Sequence, residues 1–302
     1  MINFPPVLMI VFNRPELTQR TLEALDEIKP SKLYVAADGP REGNSSDLLA
    51  CKATRSLFDD LSWSCDVKCQ FQTRNRGCRN TVANAVSWFL SQEEAGIILE
   101  DDCVPSKDFF SYCRCLLDYY WEDDRVMAIS GNNFQNGIQR GDGSYYFSKY
   151  VHIWGWATWR RAWSCYDNDL SFWPALKQSE KWNTLHPNKR EREFWADLLQ
   201  QVADGKIDSW GYPWLASIWA NSGCSLTPNQ NLVTNIGFDD SATHTKDSSS
   251  PFAGMDTGSL GPLVHPSSLD VCELADKYTF CRNYRPDLSE RIRRKWRKLT
   301  KR

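Results

Sequence analysis

The chain has 302 residues, of which 41% are hydrophobic and 25% charged. That composition excludes disorder, collagen and repeat arrays, and the length suits one large α/β domain with an elaborated C-terminal half. The longest apolar run near the start covers residues 7–12 and is stopped by Asn13, Arg14 and Pro15, so it is too short for a signal h-region or a membrane span.

Eleven scattered cysteines without a C-x-x-C pair read as reduced thiols in a cytosolic protein. Cys65, Cys69 and Cys78 lack both the paired spacing and the nearby histidine of a zinc site. The fourteen tryptophans are densest between Trp154 and Trp219, which suits either sugar stacking or an aromatic core.

The net charge of −2 hides an asymmetry. Residues 282–302 carry ten Lys/Arg against Asp287 and Glu290, a tail of +8 on a body of −10. Leu288, Ile292, Trp296 and Leu299 share one helical face there. A basic amphipathic C-terminal helix over 281–302 is expected, with residues 287–302 docking on an anionic membrane surface. The acidic body argues against nucleic acid. The expected location is cytoplasmic, peripheral at the inner membrane face.

In chain order, residues 7–12 form an apolar strand, and Pro15 opens a helix carrying Leu17, Thr21, Leu22, Leu25 and Ile28. A strand at 33–37 ends in Asp38-Gly39-Pro40, followed by a helix near 47–60 and a strand near 67–72. A helix at 79–91 precedes the strand 96–99, which runs into Glu100, Asp101 and Asp102; a helix near 106–121 and a strand at 126–130 follow. This βα rhythm predicts a mostly parallel, Rossmann-like central sheet with helices on both faces. Residues 1–130 and 131–280 are expected to form the two halves of the same domain.

Ligands of open α/β sheets bind at the carboxyl ends of strands. Arg14, Asp38, Arg76 and the Glu100-Asp101-Asp102 triplet all sit there. Three adjacent carboxylates raise one another's pKa, and a hard cation such as Mn²⁺ or Mg²⁺ relieves the cost. Side-chain alternation lets Glu100 and Asp102 face one way while Asp101 faces another.

The segment I97-I98-L99-E100-D101-D102-C103-V104-P105-S106-x-D108-F109-F110 resembles the metal-binding segment of GT-A-fold nucleotide-sugar glycosyltransferases, most of all the N-acetylglucosaminyltransferase I family and its bacterial relatives. The strand–turn through Arg14, the A-D-G-P turn at Asp38, the H-I-W-G-W-A-T-W run at 152–159 and the N-L-V-x-N-I-G-F run at 231–238 with T-H-T at 243–245 extend the likeness. It covers about residues 5 to 245 and implies that 1–130 is the nucleotide-sugar-binding half and 131–280 the acceptor-side half of the domain.

The resemblance implies a GT-A-type fold and a metal-dependent inverting transfer from a UDP-sugar, UDP-GlcNAc or similar, to a hydroxyl of a glycan or lipid-linked acceptor. It implies Asp102 and His244 at the metal, and Arg14, Asp38, Arg76, Glu100 and Asp101 at the donor. Asn132, with Asn133 beside it, Trp154 and Trp156 are expected in the acceptor pocket. The family's general base falls in the stretch 207–214; with Gly211 where relatives often carry an acid, the assignment passes to Asp208, with Asp197 as the substitute. Two other classes compete. A sugar-nucleotide nucleotidyltransferase would want a glycine-rich loop where residues 13–18 have none, and a non-catalytic carbohydrate-binding protein would use the tryptophans alone.

Overall fold

A computed structural model describes residues 4–238 and 250–285. Strand β1 (Val7–Val11) has β2 (Lys32–Ala37) on one side and β4 (Ala95–Glu100) on the other, and β3 (Asp66–Phe71) pairs outside β2. All three pairings are parallel, and each crossover carries a helix: α1 (Pro15–Asp26), α2 (Ser45–Ser56) and α3 (Cys78–Gln92). The expected elements are present within a few residues.

The apolar run of β1 is divided between two cores by side-chain alternation. Val7, Met9 and Val11 face α1 and α4 (Lys107–Tyr119), whereas Leu8 and Ile10 face α3. On α1 the buried face is Thr18, Thr21, Leu22 and Leu25, so Thr18 takes the place expected of Leu17, which is only partly buried.

The second half departs from a simple parallel order. Strand β6 (Val126–Ser130) does not pair with β4; β8 (Trp156–Trp159) lies between them, antiparallel to both. Beyond β6 come β9 (Cys224–Pro228), parallel to it, and β7 (Tyr145–Ser148), antiparallel to β9. Six of the eight strands therefore run one way, and the carboxyl ends of β1, β2, β4 and β6 share one edge. A separate two-stranded ribbon pairs β5 (Cys103–Pro105) with β10 (Val233–Asn235), Cys103 opposite Asn235.

Short helices α5 (Arg160–Trp163), α6 (Trp173–Gln178) and α7 (Glu180–Leu185) lead into α8 (Lys189–Ala203) and α9 (Gly211–Ala220). They cover the same sheet face as α3, and most of the tryptophans sit between them and the sheet. Trp156, Trp195, Trp214 and Trp219 are fully buried, so the aromatic richness of this region is mainly core. Helix α9 is apolar on every side because it is buried on every side. The last described elements are α10 (Glu273–Thr279) and a π-helical turn, Phe280–Tyr284. No helix among the described residues is long and apolar enough to cross a membrane. Residues 286–302, including the expected basic docking segment, lie outside the described residues.

Candidate functional site

The shared carboxyl edge opens into a cavity of about 690 Å³. Arg14 reaches it from the β1–α1 turn, Glu100 and Asp102 from the end of β4, and Asn132 from the end of β6. Trp154 enters just ahead of β8, and Asp208 just ahead of α9. Six residues singled out in the sequence therefore line one space, though they lie up to 194 positions apart.

Glu100 ends β4, and Asp101 and Asp102 form the turn that follows it. Glu100 and Asp102 line the cavity, while Asp101 turns to Arg14, whose Nε donates at 3.2 Å and whose second nitrogen also bonds the carboxylate. Arg14 bridges the cluster, its guanidinium lying 3.0 Å from Asp102 Oδ2. Thr21 on α1 donates to the Asp101 carbonyl at 3.0 Å, anchoring the turn.

Burial, then the charges of Asp102 and Asp101, push the Glu100 carboxyl up to about 8 against the opposing pull of Arg14. Burial also raises Asp101, to about 6, despite the Arg14 pair. Glu100 therefore keeps at neutral pH a proton that a free carboxyl sheds, and one guanidinium does not offset the burial.

Asp102 is clasped from a distant part of the chain. Register in the β5–β10 ribbon brings Asn235 Nδ2 to 3.2 Å from Asp102 Oδ1, and the Ile236 N–H donates to the Asp102 carbonyl at 2.9 Å. The Gly237 N–H donates to Asn235 Oδ1 at 2.9 Å. A β-carbon on Gly237 would lie 2.0 Å from Asp102 Oδ2, so only glycine fits beside that carboxylate.

Among the described residues no group of three or more His, Cys, Asp or Glu is placed to hold a metal. The oxygen set of Asp102 and Glu100 nonetheless fits a hard cation that takes one or two carboxylates from the protein and the rest from water and substrate phosphate. His244 lies outside the described residues.

Aromatic rings complete the cavity. Trp154 packs edge-on to Phe134 at 5.1 Å and to Phe238 at 5.5 Å, and Phe134 packs against Phe252 at 4.9 Å. All four line the space. Trp156, two positions past Trp154, does not. Gly155 has φ +64°, and this left-handed turn breaks the alternation before β8 begins. Trp156 is fully buried and stacks on Trp210, which itself lines the cavity, at 5.7 Å.

Asp208 is exposed to the cavity, and its Oδ2 lies 4.0 Å from where Gly77, at the start of α3, would carry a β-carbon. Asp197 is exposed on α8, accepts from Gln201 at 2.9 Å and does not line the cavity. Asp38 is buried and ties β2 to the next loop, accepting from the Gly39 and Arg76 N–H groups at 2.8 Å and from Asn75 Nδ2 at 3.0 Å. Arg76 borders a smaller cavity of about 360 Å³ with Gln70, Gln72, Thr81 and Asn84. Asn133 is used structurally, its Nδ2 donating to the Pro228 carbonyl at 2.6 Å.

Sequence reasoning passed over His152, Phe134, Asn235, Gly237, Phe238 and Phe252 as site residues. His152, Ile153 and Trp154 all line the cavity from a stretch that belongs to no strand, so alternation does not mark His152 out. Asn235 and Gly237 needed the ribbon register, which no local pattern encodes.

No family model matches the sequence, and no curated protein sequence matches it. A mannosyltransferase from Pyrobaculum calidifontis, in complex with GDP-Man and Mn²⁺, superposes with a TM-score of 0.40 at 15% identity, over 72% of this chain and 69% of that chain. UDP-glucose pyrophosphorylase complexed with UDP-glucose gives a TM-score of 0.38 at 10% identity, over 74% of this chain and 90% of that chain. Likenesses of this size assign neither a reaction nor a ligand to this chain.

Proposed function

We propose that the chain is a GT-A-type, metal-dependent inverting glycosyltransferase. It moves a sugar from a UDP-sugar, UDP-GlcNAc or a close relative, to a hydroxyl of a glycan or lipid-linked acceptor. One observation carries the reading: Glu100 and Asp102 share a single cavity with a further carboxylate, Asp208, and with a wall of aromatic rings.

A diphosphate entering that cavity meets the acids Glu100, Asp102 and Asp208 and one guanidinium already engaged with Asp101 and Asp102. The electrostatics therefore favour a donor that arrives with a divalent cation. Asp102, with Glu100 beside it and His244 as the further ligand implied by the resemblance, would hold Mn²⁺ or Mg²⁺. When bound, the cation supplies neutralisation of the charge that grows on the departing nucleotide.

The remaining work belongs to the protein. Arg14, at the amino end of α1, adds positive potential on the diphosphate side. Asp38 and Arg76 follow the carboxyl ends of β2 and β3 and line no part of this cavity; their contact with the nucleoside is what the resemblance implies. Asp208 accepts the proton of the attacking hydroxyl as the new C1–O bond forms and the bond to the diphosphate breaks. The aromatic wall holds apolar sugar faces and excludes water, with Trp154 and Asn132 on the acceptor side and Trp156 fixing Trp210 from beneath. Residues 287–302 would hold the enzyme against an anionic inner leaflet where lipid-linked acceptors lie.

The test is a thermal-shift screen of nucleotide sugars with and without Mn²⁺, followed by product analysis. A UDP-sugar that stabilises only with metal and is then transferred supports the reading. Pyrophosphate release from a nucleoside triphosphate would replace it with nucleotidyl transfer, and sugar binding indifferent to UDP and metal would replace it with simple carbohydrate binding.

A further inference from the structure

Besides Asn283 Oδ1, on a half-buried residue, two hydrogen-bonding atoms in the cavity wall have no partner among the described residues: Asn132 Nδ2 and His152 Nε2. Both residues line the cavity, and they are only 1% and 4% exposed. Leaving such an atom unpaired is costly, and buried polar groups are rarely left so.

The two side chains are held in place by neighbouring backbone. The His152 N–H donates to Ser130 Oγ at 2.9 Å, the Gly131 N–H to the Gly155 carbonyl at 2.8 Å, and the Trp154 N–H to Asn132 Oδ1 at 3.3 Å. Residues 130–132 and 152–155 are thereby joined side by side, and Asn132 Nδ2 cannot swing to a new partner without breaking the bond that Oδ1 accepts. Phe134 lies edge-on to the His152 ring at 4.8 Å and to Trp154 at 5.1 Å. Burial holds the imidazole down to about 4, so the ring is neutral at physiological pH and offers one donor and one acceptor.

An aromatic face beside a neutral donor–acceptor pair is what a sugar ring needs: C–H surface for the ring, polar atoms for its hydroxyls. Charge narrows the class further. Among the described residues lining the cavity Arg14 is the one fixed cation, and it is committed to Asp101 and Asp102, while Glu100, Asp102 and Asp208 are acids. An anionic sugar would find no counter-charge there.

We propose that Asn132 and His152 form a subsite for a neutral, hydroxyl-bearing pyranose, a hexose or N-acetylhexosamine rather than a uronic or sialic acid, seated beside Phe134 and Trp154. The inference deepens the glycosyl-transfer reading and rests on it for the reaction that the ring undergoes.

The experiment is ligand-observed saturation-transfer NMR on the full chain, without nucleotide or metal, using the methyl glycosides of glucose and N-acetylglucosamine and methyl glucuronide as the charged counterpart. Wild type should show transfer to at least one neutral glycoside and none to the glucuronide. Asn132→Leu and His152→Phe should weaken the neutral ligand about tenfold, one hydrogen bond's worth of affinity, and His152→Asn should restore most of it. Should an apolar variant not fold by near-UV circular dichroism, Asn132→Ala and His152→Ala carry the same expected loss without added bulk. No transfer in wild type, equal affinity in the folded variants, or equal binding of the glucuronide would overturn the proposal. Because the readout omits donor and cation, a protein that binds neutral glycosides but never UDP and Mn²⁺ would refute the donor site and leave this subsite standing.

Discussion

Gly237 passes so close to Asp102 that a β-carbon on it would lie 2.0 Å from the carboxylate Oδ2. The contact joins the end of β4 to a segment 135 residues later in the chain, and it leaves no room for any other residue. Gly237→Ala is therefore expected to displace the Asp102 carboxylate, at a stability cost of about 1–3 kcal/mol. Chemical denaturation measures the cost. A thermal-shift titration should show the Mn²⁺-dependent response to UDP abolished; an alanine variant that responds like wild type would contradict the placement of the cation at Asp102.

Asp102→Asn keeps the shape of the side chain and its contact with Asn235 while removing the charge. Turnover of the UDP-sugar should fall at least about a hundredfold, because several kcal/mol of leaving-group stabilisation is at stake. EDTA treatment of the wild type should reproduce the loss and added Mn²⁺ should reverse it. Unchanged turnover in either experiment would remove the cation from the mechanism.

Asp208 and Asp197 are separated by a simple comparison. Asp208→Asn should lower kcat by about 10²–10⁴-fold with little change in donor KM, the usual size of a general-base contribution. Asp197→Asn should behave as wild type, since that carboxylate lies outside the cavity and bonds Gln201. The reverse pattern would exchange the two roles.

Glu191 sets an acid limit on stability. Its carboxyl accepts from the Tyr150 hydroxyl, lies 2.8 Å from Lys149 Nζ and 3.2 Å from His186 Nδ1. Burial alone would raise it, but the His186 hydrogen bond and the Lys149 charge prevail and hold it at about 2. A carboxyl lowered on folding stabilises the protein above its unfolded value of about 4.5, and that contribution disappears as pH falls through 4.5 toward 2. Nearby Asp276 runs the other way, raised by burial to about 6. Comparing wild type with Glu191→Gln isolates the first effect. The variant should be about 2–3 kcal/mol less stable at pH 7, and the gap in urea melts should close between pH 4.5 and 2. A gap independent of pH would refute the assignment.

Removal of residues 287–302 should release the protein from anionic vesicles while leaving activity on a soluble acceptor within about twofold, since each lost cation near the surface is worth about 1 kcal/mol of attraction. Vesicle flotation with and without acidic lipid checks it. Undiminished flotation of the truncated chain would end the membrane-docking proposal.

The sequence by itself determined the first half of the fold and the acidic pole of the cavity. Local patterns suffice there: the 7–11 run is apolar at every position because both faces of β1 are covered, and Glu100 and Asp102 reach one cavity because they stand at the carboxyl end of β4 and in the turn after it. Only the tertiary structure decided the rest. A four-residue strand, β8, slips between β4 and β6, and nothing in Trp156–Trp159 states which neighbours it will take. The left-handed turn at Gly155 sends Trp154 to the cavity and Trp156 to the core, although the two tryptophans look equivalent in the sequence. Asn235 and Gly237 meet Asp102 through the register of two three-residue strands, a pairing chosen by the packing of the whole domain. Short-range patterns encode the direction of a side chain; its partner across more than a hundred residues is settled only when the cores close.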